Sequence, residues 1–393
     1  MDNSINYSYE QLKRFCEDAF PKFGYDKESA HIITDVLLLA DLYGIESHGT
    51  QRLVRYYKDI VKGLIKVDAK PEVVFETSVS AVIDGHDGIG QVIAHKAMEL
   101  AIEKAEKSGI AIVTVKNSTH YGIAGYYAKM ACDKGLIGIS VTNTTAIMVP
   151  TYGRKAMLGS NPIAVAVPAE PCDFFFDAST TVVTRGKLEV YNKLDKPLHD
   201  GWAIDDTGNG STDAAKVLSC ISAATGGGIL PLGGISEDSG SHKGYGYGML
   251  AEIFSSILSC GTTSDMTNVG GKGGICHGFV VIDPKIFGDP AAIKAHFSEY
   301  LDKLRNSPKA EGQPRIYTHG EKEIEAMADR MKNGINVNVN TVAEMREEYD
   351  RRRKYMYKSL TEAGLTCFEP KGTFYIFPCV KNTGMTGEEF AVR

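Results

Sequence analysis

Between Ala40 and Leu53 the chain reads ADLYGIESHGTQRL, and within it His48 and Arg52 stand four residues apart. If Ser47 caps a new helix, the two side chains lie one turn apart on one face, because residues i and i+4 are neighbours on a helix. Such a pair suits a small 2-oxo or 2-hydroxy acid. The guanidinium offers a planar fork to a carboxylate, and the imidazole can exchange a proton with the adjacent oxygen near neutral pH. The plainer alternative is an exposed histidine beside a surface arginine.

A second stretch with chemical content is Asn117 to Ala128, NSTHYGIAGYYA, directly after an apolar strand that ends at Val115. His120 falls in a polar turn, and Gly122 and Gly125 open a helix expected to run to Lys134 and stop at Gly135. Backbone N–H groups and the positive end of that helix near the imidazole suit an anionic ligand and lower the histidine pKa. The alternative is a turn histidine that caps its own helix. Among the glycine-rich segments, Gly85 to Gly90 (GHDGIG) and Gly244 to Gly248 (GYGYG) do not form GxGxxG after a strand, and there is no GxxxxGK[ST] loop, so a Rossmann domain is disfavoured. Leu230 to Glu252 instead offers a Gly/Ser loop, then Lys243 and a Gly-Tyr-Gly helix start, where an ammonium and helix N–H donors could meet a pyrophosphate. Turn-forming glycines without a ligand are the alternative there.

These residues need elements to hold them. Ser8 with Gln11 forms a capping-box pattern, and Asp26 can cap an amphipathic run through Ile32, Val36 and Leu39 that ends at Gly44. Strands are expected at Val73–Phe75, Val79–Ile83, Ile110–Val115 and Ile137–Thr142, with a helix from Gln91 to Lys107. Further on, Ala164–Val167, Phe174–Phe176, Val182–Val183 and Phe279–Ile282 are short strands broken by Pro and Gly, which indicates a largely antiparallel sheet.

Composition limits the function classes. The 393 residues are 43% hydrophobic and 23% charged, enough for two domains or more. A formal net charge of −6 gives no basic field for nucleic acid, and the run Arg351-Arg352-Arg353-Lys354 reads as a solvated helix face beside Glu347, Glu348 and Asp350. The eight cysteines form no CxxC pair, the N-terminal MDNSINYSYE has neither a basic start nor an apolar stretch, and no apolar run is long enough for a membrane span. A reduced, cytoplasmic protein without a metal site is expected.

Five segments in order, ADLYGIESHGTQRL, NSTHYGIAGYYA, VTRGKLEVYNK, GWAIDDTGN and LPLGG…HKGYGYGMLAEI, resemble the malate/L-lactate dehydrogenase family over about residues 8–345. That family also contains ureidoglycolate, sulfolactate and diketogulonate oxidoreductases. The resemblance implies an α/β (α+β type) protein with a non-Rossmann NAD(P)-binding domain built on a mainly antiparallel sheet. It also implies hydride exchange between NAD or NADP and a 2-hydroxy acid of malate or lactate type, and a homodimer. The domains expected are 1–115 with 284–345 returning as a helical substrate domain, 116–283 as the nucleotide domain, and 346–393 as a separate C-terminal piece. The match puts His48 and His120 forward as proton-transfer residues, with the choice between them open, and Ser47, Arg52 and Tyr121 at the substrate. For the nucleotide it points to Thr144, Asp177, Ala178, Ser179, Thr180, Lys187, Lys243, His277, Gly320 and Glu321. Two departures stand out: DASTT at 177–181 is not the usual Asp-apolar-Ala-Thr-Ser order, and Gly274-Ile275-Cys276-His277 lacks the Asn common before the Gly-His pair.

Arg346 to Phe390 is similar to a piece of the small domain of class I pyridoxal-phosphate aminotransferases, through its YDRRR helix, a Gly364 stop and the strand PKGTFYIFP. Nothing upstream resembles that family's Schiff-base lysine region, so a pyridoxal-phosphate activity is not expected. The unit is too small for a core of its own. A silent nucleotide-binding protein and an aminotransferase remnant are the rival classes.

Overall fold

The computed structural model describes residues 4–268, 273–367, 378–384 and 386. A short strand, β1 (Ser4–Tyr7), precedes three helices, α1 (Tyr9–Lys22), α2 (Lys27–Leu42) and α3 (Leu53–Val61). Both expected caps form. Ser8 Oγ accepts the Gln11 N–H while the Gln11 side chain accepts the Ser8 N–H, and the Asp26 carboxylate accepts the Ser29 N–H. Then come β2 (Glu72–Glu76), β3 (Ser80–Asp84), α4 (Gly90–Ser108), β4 (Ile110–Ser118), α5 (Ala124–Cys132), β5 (Ile137–Thr142), β6 (Ile163–Val167) and β7 (Phe174–Ala178). A small lobe follows, with α6 (Arg185–Lys193), β8 (Ala203–Ile204), α7 (Ala214–Ala223) and β9 (Gly228–Ile229). The chain continues through α8 (Ser241–Glu252), β10 (Ile275–Ile282), α9 (Pro290–Arg305), α10 (Glu321–Asn333), β11 (Ile335–Asn338), α11 (Val339–Glu362), β12 (Thr366–Cys367) and β13 (Pro378–Cys379).

The central sheet runs β2-β3-β4-β10-β5-β6-β7, and it is antiparallel throughout except where β3 meets β4. That one parallel pair is joined by α4, because parallel neighbours need a crossover. Apolar residues of β4 and β10, among them Val113, Val115, Phe279 and Val281, are fully enclosed and pack with Val36 of α2, Met98 and Ile102 of α4 and Tyr127 of α5. The sheet takes strands from both sides of residue 115. A second cluster gathers Phe20, Ile33, Leu37, Leu53, Tyr56, Val92 and Met345, so the first turns of α11 belong to the same core as α1 to α4. Pairing of β1 with β11 brings residues 335–338 back to the start of the chain.

Some expectations change. Val182–Val183 is not a strand: Val182 donates one bond to Leu230 O and Thr181 bridges Pro231, whose missing N–H ends the ladder at once. Helix α5 ends at Cys132 rather than Lys134. In the C-terminal piece, α11 passes through residue 346 without a break and Gly364 follows its end at φ +82°. The expected strand 370–378 and the Arg351–Arg353 side chains lie outside the described residues, apart from Pro378, which pairs in β13. Among the described residues no helix is long and apolar enough to cross a membrane.

Candidate active site

The helix that Ser47 was expected to cap does not form. Residues 46–48 and 50–52 make two single 3₁₀ turns, and Gly49 between them is extended. Asp41, buried at the end of α2, is the cause: its Oδ2 accepts the Thr50 N–H at 2.9 Å and pulls the chain across its own side chain. A Cβ on Gly49 would stand 1.7 Å from Asp41 Oδ1, so only glycine passes here. Burial pushes the Asp41 carboxyl up to about 6, with the Thr50 bonds pulling against it. Arg330 of α10 locks the other side, donating to Asp41 O at 2.6 Å and to Glu46 Oε1 at 2.8 Å. His48 and Arg52 are therefore neighbours through a compact double turn and not through a helical face. Ser47 Oγ lies 2.9 Å from His48 Nδ1, and Arg52 Nε donates to Ser47 O at 2.5 Å.

His120 arrives from the opposite direction. Gly90, the first residue of α4, donates its N–H to Thr119 Oγ1, and a Cβ on it would stand 2.3 Å from Thr119 O. That close approach sets the 119–120 backbone against the start of α4. The two imidazoles stack with centroids 5.4 Å apart and planes 25° from parallel. Tyr56 of α3, one turn beyond Arg52, places its hydroxyl 2.8 Å from His120 Nδ1, and the Gly122 N–H donates to the same nitrogen at 3.3 Å. A backbone N–H can only donate, so Nδ1 is the acceptor and the neutral ring carries its proton on Nε2. No group among the described residues holds that Nε2.

Electrostatics agrees with neutral rings. Burial, with Arg52 and Arg55 nearby, lowers His48 to about 4; burial, then His48 and the same arginines, holds His120 well below the ordinary histidine range. Burial pushes the Tyr56 hydroxyl up to about 12, so it stays a donor. The expected cause for His120, a helix N-terminus, is replaced by desolvation, followed by the neighbouring His48 and arginines. Helix α6 closes over this group: a Cβ on Gly186 would be 3.9 Å from Ser47 Cβ, and Arg52 feels Arg185 and Glu189. Arg52 makes a positive setting for an organic anion, with Arg55 and Arg185 nearby but paired to Asp59 and Glu189.

The other expected residues divide into exposed and committed groups. Tyr121 is in the core: its ring stacks on His277 at 4.3 Å and on Tyr127 at 4.7 Å, and its hydroxyl meets Ser140 Oγ at 3.2 Å. His277 is fully buried, with Thr142 Oγ1 and Ser118 Oγ each 2.8 Å from its ring nitrogens. Both support the wall behind His120. Thr180 Oγ1 donates to Ser160 O and Asn161 O, and Ser179 Oγ donates to Thr181 O beside Ala178. Asp177 Oδ2 accepts the Gly125 N–H at 2.7 Å in the first turn of α5, and burial raises its carboxyl to about 6. Gly320 stands at φ +103° against Asp173 O and Phe175, and Glu321 is engaged by Arg305, Arg315 and Thr318.

Thr144, Lys187 and Lys243 keep more freedom. Thr144 Oγ1 accepts the Ser160 N–H at 3.0 Å just after β5. Lys187 is exposed, its ammonium 5.6 Å from the Tyr191 ring centroid. Lys243 is exposed in the first turn of α8, which sits beside Thr180: Leu232 N donates to Thr180 O, and a Cβ on Gly244 would be 2.2 Å from Leu232 O. Hydroxyls, exposed ammonium groups and a helix start are a donor set that fits the phosphates and ribose of a dinucleotide. Sequence reasoning missed Asp41 and Tyr56. An acid ending an apolar helix, and a tyrosine at i+4 from Arg52, were the available signals.

The model of the malate/L-lactate dehydrogenase family matches residues 7–346, and that of class I and II aminotransferases matches residues 318–391, overlapping it and beginning earlier than the expected boundary at 346. Malate dehydrogenase of Pyrococcus horikoshii is 42% identical over 348 residues, covering 88% of this chain and 95% of that protein. L-sulfolactate dehydrogenase of Methanocaldococcus jannaschii is 37% identical, covering 86% and 94%. Among solved structures, malate dehydrogenase from Entamoeba histolytica superposes with a TM-score of 0.84 at 37% identity, covering 88% of this chain and 97% of that one. The chain belongs to the malate/L-lactate dehydrogenase family.

Proposed function

We propose that the protein is a nicotinamide-dependent dehydrogenase that interconverts a small 2-hydroxy acid, of malate, lactate or sulfolactate type, and its 2-oxo acid. The observation that carries this reading is the neutral His120, proton on Nε2, stacked on His48 beside Arg52. Bound reduced nicotinamide would supply the hydride to the carbonyl carbon. Arg52, with Arg55 and Arg185 nearby, holds the substrate carboxylate. His120 gives its Nε2 proton to the carbonyl oxygen as negative charge develops there while its Nδ1 takes the Tyr56 hydroxyl proton, so the ring stays neutral, and the same two transfers run backward in oxidation. Tyr56 and the Gly122 N–H keep Nδ1 as acceptor, so the proton stays on the nitrogen that delivers it. His48, oriented with Ser47, stabilises the same oxygen.

Thr144, Lys187 and Lys243 are the residues we assign to the nucleotide, with Asp177, Ala178, Ser179, Thr180, His277, Gly320 and Glu321 shaping its cleft. Residues 1–115 with 284–345 are assigned to the substrate side and 116–283 to the nucleotide side; the pairing of β1 with β11 supports the return of 284–345, while β2 to β4 of the first part share the central sheet with β5 to β7 and β10. A homodimer is supported by the apolar stripe of Tyr247, Leu250, Ile253 and Ile257, exposed along α8 and the turn after it. All eight cysteines are free thiols, in keeping with a reducing, cytoplasmic setting. The test is a panel of 2-oxo acids, oxaloacetate, pyruvate, sulfopyruvate and the ureidoglycolate and diketogulonate couples, each assayed with NADH and with NADPH. Turnover with one of them supports the reading. Nucleotide binding with no turnover on any would make the protein a silent binder, and a pyridoxal absorbance band on the purified protein would favour the aminotransferase remnant.

A further inference from the structure

Outside the histidine cluster, the most heavily bonded buried acid among the described residues is Glu252, the last residue of α8, 5% exposed. Directly after it the backbone widens into a π-turn, Ile253–Ile257, a form common at functional sites. The turn packs tightly on the central strand: a Cβ on Gly278 of β10 would stand 2.0 Å from Phe254 O. Five hydrogen bonds converge on the carboxylate, all from neutral donors. Oε1 accepts from Asn143 Nδ2 at 3.3 Å, Ser256 Oγ at 2.9 Å and Ser264 N at 2.8 Å, and Oε2 accepts from Asn161 Nδ2 at 2.8 Å and Ser264 Oγ at 2.7 Å.

The two asparagines point their carbonyl ends at the nucleotide side. Asn161 Oδ1 accepts the Thr144 N–H at 3.3 Å, and Asn143 Oδ1 accepts the Cys276 N–H at 2.8 Å, next to His277. An amide has one accepting and one donating end, so whichever group takes the Nδ2 decides where Oδ1 points. For Asn161 that group is Glu252 Oε2 at 2.8 Å together with Gly248 O at 3.0 Å; for Asn143 it is Thr262 O at 2.8 Å, with Glu252 Oε1 at 3.3 Å in support. We propose that Glu252 is a positioning residue for the nucleotide: by accepting from Asn143 and Asn161 it fixes the turn that carries Thr144. This rests on the reading of Thr144 as a nucleotide contact.

The geometry states what Glu252→Gln must do. A glutamine nitrogen on the Oε1 side would face the Ser264 N–H, which cannot reverse, so it goes to the Oε2 side and faces Asn161 Nδ2. Asn161, still held by Gly248 O through its Nδ2, swings away from the glutamine nitrogen, and its oxygen is drawn off the Thr144 N–H. We expect Glu252→Gln to weaken binding of the reduced nucleotide about tenfold, the scale of one charge-assisted hydrogen bond, measured by fluorescence titration of NADH and NADPH. The KM for the oxo acid stays within about twofold, because Arg52 and the histidines are not bonded to this network. Thr144→Ala added to Glu252→Gln brings no further loss, since both act through one contact.

Ser264→Ala removes one donor and keeps the carboxylate; it should weaken nucleotide binding by about threefold and decides the matter if Glu252→Gln is insoluble. Nucleotide Kd within twofold of wild type in the soluble variants, or full additivity with Thr144→Ala, overturns the proposal. So does a parallel rise in nucleotide Kd and oxo-acid KM, which marks general loosening. Failure of the wild-type chain to bind either nucleotide refutes instead the nucleotide reading on which it rests.

Discussion

Tyr56→Phe removes one oxygen and nothing else from the proton-transfer group, and the structure sets the size of the effect. The lost contact is the 2.8 Å bond from the buried hydroxyl to His120 Nδ1. A neutral hydrogen bond of this kind contributes about 1–1.5 kcal/mol net. The Gly122 N–H, at 3.3 Å, remains as a weaker constraint on the tautomer, so the imidazole keeps some preference for Nε2–H. Converted at 1.4 kcal/mol per decade, kcat for oxo-acid reduction falls roughly five- to tenfold. The KM for the oxo acid holds, because Arg52 still grips the carboxylate. No cavity larger than the missing oxygen forms, so the stability loss is about 1 kcal/mol, or roughly 1–2 °C in Tm. Steady-state consumption of reduced nicotinamide, with thermal unfolding alongside, reads all three. A variant with wild-type kcat, or one whose defect lies wholly in KM, would refute the assignment of Tyr56 as the group that holds the His120 proton in place.

Further expectations follow from the same geometry. His48 at about 4 and His120 well below its ordinary range are unprotonated at neutral pH. A neutral imidazole with a lowered pKa is lost only as pH falls through that low value, so kcat/KM for hydroxy-acid oxidation should show no histidine inflection between about pH 5.5 and 8; a limb near the unperturbed histidine value would contradict it. Gly49→Ala puts a methyl 1.7 Å from Asp41 Oδ1, and moving that buried carboxylate should cost about 2–4 kcal/mol in urea unfolding and disable turnover; wild-type stability would mean the double turn is not held as described. A chain shortened to residues 1–345 retains Val342 and Met345 in their clusters and should stay soluble and active, whereas one ending at Asn338 removes both core contacts and should lose about 3–5 kcal/mol or fail to fold. Loss of soluble protein from the 1–345 chain would show that the C-terminal piece is part of the core.

Much of the fold was legible because its signals are local. Ser8, Gln11 and Asp26 cap helices through bonds three residues long, and the β-branched runs of β4 and β10 put one face, Ala111, Val113, Val115, Phe279 and Val281, fully into the core. What was hidden depends on groups distant in sequence. His48 and Arg52 were legible as a pair, yet the shape of their segment comes from Asp41 and from Arg330, 289 residues away from it. Tyr56 looked like an ordinary helix residue until His120, 64 positions on, met its hydroxyl. Thr180 and His277 were picked out with the nucleotide residues, and their polar atoms serve neighbouring chain segments. Glu252 carried a readable signal, an acid inside an otherwise apolar run, but the four segments it joins come together only in the folded chain.

The central claim is hydride transfer to the carbon that carries the substrate oxygen. Reduced nicotinamide deuterated at both C4 positions, incubated with the full-length protein and the oxo acid it turns over fastest, tests it most directly by mass spectrometry of the product. One deuterium is expected on C2 of the 2-hydroxy acid, strongly reduced in His120→Asn. Product without deuterium, or no deuterated hydroxy acid from any member of the oxo-acid panel with either nucleotide, would contradict it.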